Sequence, residues 1–244
     1  MAFDKNSTGY TIGFAVALVA ISGALLAFLS VSLKEAQTSN IDNEKRAFIL
    51  SAAGAFTMEE SKAMSKAQIS EIYETKVSSK VIAFDGKLVE GKEAFDIDIV
   101  KEFKATKATP EQRMYPYFEY NDGSTVKYIV PMAGNGLWGP VWAYVALEND
   151  QNTITGIVFD HKSETPGLGA EITSPSFISK FIDYPKQIVD EKGAYKSVSI
   201  IKGGDPTTKH EIDAIAGATI TSKGVSTMLK EAFIPYMKYW GKIQ

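Results

Sequence analysis

The 244-residue chain has no cysteine and only two histidines, His161 and His210. A thiolate-held iron–sulfur cluster is therefore excluded, and a structural zinc site has almost no ligands to draw on. Redox chemistry, if present, needs an organic cofactor. A basic surplus is also missing, since 26 Lys and Arg face 29 Asp and Glu for a net charge of −3. Displacing phosphate counterions takes clustered cations, so no nucleic acid is expected as a partner. There is no internal repeat, no low-complexity tract and no G-x-S-x-G elbow for a hydrolase using Ser163 or Ser222. What the chain does have is 45% hydrophobic residues, enough for the core of one ordinary domain plus a short accessory segment.

Charge is absent from Asn6 to Ser32, and positions 12–33 are almost continuously apolar or small. As a helix this run measures about 33 Å, close to the roughly 30 Å hydrocarbon core of a bilayer. A cleaved signal peptide, with Ser30 and Ser32 before the cut, would have a shorter apolar stretch of about 7–15 residues. The expected organisation is a short tail at 1–9, a transmembrane anchor at 10–33 and a folded domain at 34–244. Orientation stays open on charge, because only Lys5 and the amino terminus oppose Lys34, Lys45 and Arg46.

Beyond the anchor, 34–67 reads as a polar stalk followed by a helix capped by Asn40 or Asp42, with Phe48 and Ile49 turned inward. Met64, Ala67, Ile69, Ile72, Tyr73 and Val77 predict a second helix over 57–79. Short β-branched and aromatic runs at 127–131, 141–147 and 153–160, separated by Gly, Asn and Asp, predict an antiparallel sheet. A helix at 174–181 and a strand at 196–202 follow. Val225, Met228, Leu229, Ala232, Phe233 and Tyr236 then mark an amphipathic helix over 222–240, with Pro235 late in it. The fold class is α+β.

Three segments hold candidate chemistry. Gly134-Asn-Gly136-Leu-Trp138-Gly139 matches G-x-G-x-x-G, but Pro140 and a strand follow where a dinucleotide fold needs a helix. It reads as a hairpin turn with Trp138 at its tip. In His161-Lys-Ser-Glu164-Thr165-Pro-Gly167-Leu168-Gly169, Pro166 and the glycines exclude a helical metal site. The loop can lay backbone N–H groups and Leu168 against a flat heterocycle, or it is a structural turn alone. Asp213-Ala-Ile-Ala-Gly217-Ala218-Thr219-Ile-Thr221-Ser222 feeds the last helix, for which Thr221 or Ser222 is a natural N-cap. The free N–H groups of a helix start attract anions, so a phosphate near Thr219, bound or esterified, is one reading and a plain cap is the other.

Asp213-x-x-Ala-Gly-Ala-Thr219 resembles the D-x-x-[ST]-G-A-[TS] signal of a periplasmic flavin transferase, which moves FMN from FAD onto the last hydroxyl; Ala216 departs from the usual Ser or Thr. The anchor together with GLWGPVWAYVAL, HKSETPGLGAEI and AGATITSKGV is similar to the C subunits of the Na+-translocating NADH:quinone reductase. The G subunits of Rnf complexes also carry ETPGLG and a flavinylated threonine, and the GLWG turn favours the former. This resemblance implies an antiparallel-sheet flavin-binding domain with flanking helices. It implies FMN held by a phosphoester on Thr219, with Trp138, Glu164, Thr165, Gly167, Leu168, Gly217, Ala218, Ser222 and Lys223 around it. Trp138 and Leu168 would face the ring, the backbone at Thr165 and Gly167 its polar edge, and Lys223 the phosphate. It further implies an electron carrier that is a subunit rather than an enzyme alone, single-pass in the cell inner membrane with residues 34–244 outside the cytoplasm. The implied partners are the lipid bilayer, the transferase during maturation and the other subunits, especially B. An anchored binding or scaffold protein without cofactor is the contrasting reading. If the anchor is retained, N-terminal sequencing of the membrane-bound protein starts at the amino terminus; a start near Leu33 or Lys34 would remove it.

Overall fold

The computed structural model describes residues 7–106 and 109–243; the first six positions of the expected tail, and Gln244, lie outside these. The chain divides into two units, Met1–Lys45 and Arg46–Gln244. In the first, the Ser7 side chain accepts the Tyr10 N–H and starts α1 (Thr8–Ser32), none of whose residues is buried. This is the one helix among the described residues long and apolar enough to cross a membrane. Its 25 residues extend about 38 Å. A helix apolar on all sides has no face suited to water, which is the composition of a membrane span.

α2 (Lys34–Ala53) starts in the first unit and ends in the second. The expected polar stalk and the cap at Asn40 or Asp42 are instead continuous helix, because this stretch has no Gly or Pro to break it and opens on the good helix formers Lys34, Glu35, Ala36 and Gln37. Gly54, at φ +82°, ends it. The helix expected at 57–79 is also different, being split into α3 (Met58–Ser61) and α4 (Lys66–Lys76). Thr57 with Glu60, and Ser65 with Gln68, form two capping boxes, and each restarts the helix. At Val77 the chain becomes β1 (Val77–Ile82).

α5 (Ile99–Ala105), capped by Asp98, leads to β2 (Tyr115–Asn121), β3 (Val126–Asn135), β4 (Pro140–Leu147) and β5 (Ile154–His161). The five strands form an antiparallel meander in sequence order, as expected of the central runs, with β1 and β2 added. α6 (Pro175–Ile182), a short parallel pair β6 (Ser199–Ile201) and β7 (Glu211–Asp213), and α7 (Thr219–Tyr239) complete the unit.

Both faces of the sheet are covered. Val141, Ala143 and Val145 of β4 pack on the side of α6 and α7 with Phe177, Phe181, Leu229 and Phe233. Tyr144 and Ala146, alternating with them, pack on the side of α2 and α4 with Phe48, Leu50 and Ile69. A register shift at Ala146/Leu147 lets Ile154 join Ile157 and Phe159 on the α7 side. α7 is pinned by Tyr236, whose buried hydroxyl donates to the Pro116 carbonyl at 2.7 Å and lies 3.4 Å from that of Pro131. Burial, and then Tyr115 and Tyr117, push this phenol well above its ordinary pKa.

The end of α2 lies directly on β5, where a Cβ at Gly156 would collide with the Ala52 carbonyl oxygen. Gly156→Ala is therefore expected to lower the unfolding free energy by about 1–3 kcal/mol through overpacking. Urea unfolding reads this as a lower midpoint, and an unchanged midpoint would mean that the contact yields without strain.

Candidate functional site

The three segments singled out in the sequence converge at one end of the sheet. The first is the β3–β4 hairpin turn, closed by the Gly136 N–H donating to the Gly139 carbonyl at 2.7 Å. The second runs from His161 at the end of β5 to a 3-10 turn at Gly169–Thr173. The third is the start of α7.

Glu164 joins them. Its side chain is buried, with the residue only 5% exposed. Oε1 accepts the Trp138 N–H at 2.8 Å, and Oε2 accepts the Thr221 hydroxyl at 2.6 Å. Gly136 and Gly169 flank the carboxylate so closely that a Cβ at either would strike it. The Glu164 N–H donates to His161 Nδ1 at 3.3 Å, and the Ser163 hydroxyl donates to the Trp138 carbonyl at 3.0 Å. The Trp138 peptide is thus held at both its N–H and its C=O. Beneath the loop, burial raises the Asp160 carboxyl above the usual carboxylate range, opposed by the His161 N–H and the His161 side chain.

The expected N-cap at Thr221 or Ser222 is not what forms. α7 begins at Thr219, and its N-cap is Ala218, which has no capping side chain. The physical reason is that both hydroxyls face inward and serve other partners: Thr221 donates to Glu164, and the Ser222 oxygen accepts the Ile215 N–H at 3.2 Å. Thr221 and Ser222 are buried, whereas Thr219 and Lys223 are exposed. The buried Ala218 holds the corner, its N–H donating to the Ile215 carbonyl and its C=O accepting from Ser222. Gly217 turns the chain at φ +76°, and a Cβ there would meet Leu168 Cδ2.

Leu168 therefore lies against the approach to Thr219. The Thr165 carbonyl accepts from the Leu168 and Ala170 N–H groups, and the Gly167 N–H donates to the Glu171 carboxylate at 3.1 Å. These backbone groups brace the loop, leaving Leu168 presented outward. Trp138 is 65% exposed, Ile220 58% and Leu168 42%. Leu137 is also exposed. Sequence reasoning assigned no role to Leu137 or Ile220, because apolar residues beside a strand or on a helix read as core. A cleft of about 690 Å³ opens beside Ile220 and Lys223, walled by Phe84, Phe103 and Arg113, within the size range of small-molecule sites.

The model of a family described as "FMN-binding domain" matches residues 136–233, a span holding all three segments from Gly136 onward. This defines the class of domain. Across the whole chain, the C subunit of the Na(+)-translocating NADH-quinone reductase of Vibrio parahaemolyticus is 30% identical over 92% of this chain and 90% of its own length. That of Neisseria meningitidis serogroup B is 30% identical, covering 96% and 95%. The crystal structure of the corresponding C subunit from Parabacteroides distasonis superposes with a TM-score of 0.71 at 37% identity, over 85% of this chain and 96% of that one. Shewanella oneidensis NqrC gives 0.64 at 27%, over 82% and 98%. The chain belongs to the family of Na(+)-translocating NADH-quinone reductase C subunits.

Thr221→Val would leave a buried carboxylate oxygen without its donor. The expected loss is about 1–3 kcal/mol of stability, with the start of α7 losing amide hydrogen-exchange protection before the rest of the helix. Uniform protection along α7 would mean that the bond does not hold the helix start.

Proposed function

We propose that this chain is the electron-carrier subunit of a membrane Na+-translocating NADH:quinone reductase, holding FMN by a phosphoester on Thr219. The observation that carries the reading is the start of α7: an exposed threonine as the first residue of a 21-residue helix without a capping side chain. Backbone N–H groups at such a terminus favour negative charge by roughly 0.3–1 kcal/mol. A phosphate on Thr219 supplies what the missing cap does not. Thr221 and Ser222 are poor acceptors by contrast, being buried and already hydrogen-bonded.

The surrounding residues fit the rest of such a group. Gly217 and Ala218 turn the chain so that Thr219 faces out, Leu168 and Trp138 present apolar surface to a flat ring, and exposed Lys223 balances phosphate charge one turn on. Glu164, Thr165, Gly167 and Ser222 act through the framework that holds these residues. When bound, FMN supplies the electron-accepting and electron-donating chemistry; this chain retains and orients it.

The relatives are named as subunits of an NADH-quinone reductase, which supports partners within a membrane complex. We place α1 across the cell inner membrane, residues 34–244 on the extracytoplasmic side, and a neighbouring B subunit as electron acceptor. A flavin transferase would complete the chain during maturation. The names of the relatives favour this assignment over the G subunit of an Rnf complex.

Thr219→Val is expected to yield a folded, membrane-bound and colourless chain, and a complex without NADH-driven quinone reduction. Peptide mass mapping checks it: flavin retained in the variant, or found on Thr221 in the parent, would overturn the attachment site.

A further inference from the structure

Glu164 belongs to the sequence motif expected around the flavin, yet both its oxygens are turned away from solvent and accept from donors of the protein itself. Two donors and no proton-sharing acceptor describe the ionised carboxylate. Among the described residues it makes no ion pair. A full negative charge is therefore fixed in the interior, where Coulomb interactions are weakly screened. Its position relative to the proposed flavin follows from covalent neighbours. The bond to Trp138 N–H puts it at the base of the exposed indole, and Gly169, against which it packs, adjoins Leu168. Thr221, its other donor, lies two residues from Thr219.

Resting on the proposed attachment of FMN at Thr219, we propose that the buried Glu164 carboxylate sets the reduction potential of that flavin, holding it lower than the same fold would with a neutral side chain. Each electron the ring accepts from a donor group in a partner protein of the complex adds one negative charge, which persists unless a proton follows from water. No bond of this chain forms or breaks. A fixed anion raises the energy of the reduced ring more than that of the oxidised ring, and the potential falls. Glu164 is thus a positioning and electrostatic residue, not a contact of the reacting atoms.

Glu164→Gln separates charge from shape. The amide oxygen still accepts the Trp138 N–H, and the amide N–H₂ donates to a reversed Thr221 hydroxyl, so both bonds survive while the charge is lost. Thr221→Val does the opposite, keeping the charge and removing the bond that disperses it. The experiment is spectroelectrochemical titration of the full-length flavinylated protein in detergent, with intact mass to report FMN attachment and thermal unfolding to report the fold.

Glu164→Gln is expected to keep its flavin and its unfolding midpoint while the potential moves positive. Thr221→Val is expected to move it negative. Loosening of the site would move both variants the same way, and that result, or an unmoved potential in flavinylated Glu164→Gln, would overturn the inference. Should Glu164→Gln fail to fold, Glu164→Met, uncharged and of similar length, takes its place: a positive shift in the flavinylated variant supports the inference, and an unmoved or negative one refutes it. A parent protein whose mass shows no FMN is a different failure, that of the attachment itself, and this inference falls with it.

Discussion

The arrangement of the candidate site depends on one carboxylate. Glu164 lies just past the end of β5, and its two oxygens reach a hairpin turn 26 residues earlier and a helix start 57 residues later. Without it the three segments share few polar contacts, because the GLWG turn and the Leu168 loop are short, rich in glycine and exposed at their tips. A carboxylate suits this role better than an amide or a hydroxyl, since it accepts in two directions and neither donor has to rotate to serve it. Both bonds matter, because a buried oxygen left without a donor costs about 1–3 kcal/mol.

The same interaction explains why α7 begins as it does. A hydroxyl at the third helical position would ordinarily be free to bond within its own turn. Thr221 instead points inward to Glu164, and Ser222 bonds back to Ile215. The helix is thereby positioned by tertiary bonds and left without a side-chain cap, with its first residue, Thr219, facing solvent. The exposure of Thr219 and the missing side-chain cap are therefore linked through the same inward-facing hydroxyls.

How much of this could be read in advance varied with range. Elements whose signal is local were legible: the 3.6-residue spacing of α7, the β-branched runs of β4 and β5, and the Ser174-Pro175 start of α6. β1 was missed because Val77–Ile82 follows a helix with no breaker between them, so periodicity carried the helix too far. β2 contains Pro116, which reads as an interruption of a strand, yet its carbonyl is the acceptor that pins Tyr236. β6 falls within the strand expected at 196–202, but its parallel pairing with β7 over three residues is made by a loop and is encoded by no local pattern. At the site, the residues were legible from their motifs, but their division of labour was not. Ser222 and Thr221 look like caps in sequence and are buried tertiary partners in the fold. Glu164 stands out by its motif, but its bracing role is hinted at only by the small residues Gly136 and Gly169, placed where a carboxylate needs access, and that hint becomes readable once the three segments are together.

Family membership and geometry together bear on why the cofactor would be tethered instead of enclosed. A carrier that exchanges electrons with two partners needs its ring edge near the surface, because tunnelling weakens steeply with distance. Surface placement in turn forfeits most of the apolar burial that retains a ligand, since a deep pocket covers roughly 70–90% or more of a ligand's surface. Trp138, Leu168 and Ile220 offer apolar contact from an open face, not from an enclosing one. The ester proposed for Thr219 would resolve this conflict, because retention would no longer depend on burial, and a helix terminus favours a phosphate where water also reaches it. In that arrangement the part of the site kept from water would be the carboxylate, not the ring. Glu164 is buried with a donor on each oxygen, while Trp138 and Leu168 are exposed. In that division the interior would supply a fixed electrostatic environment and the surface would supply access.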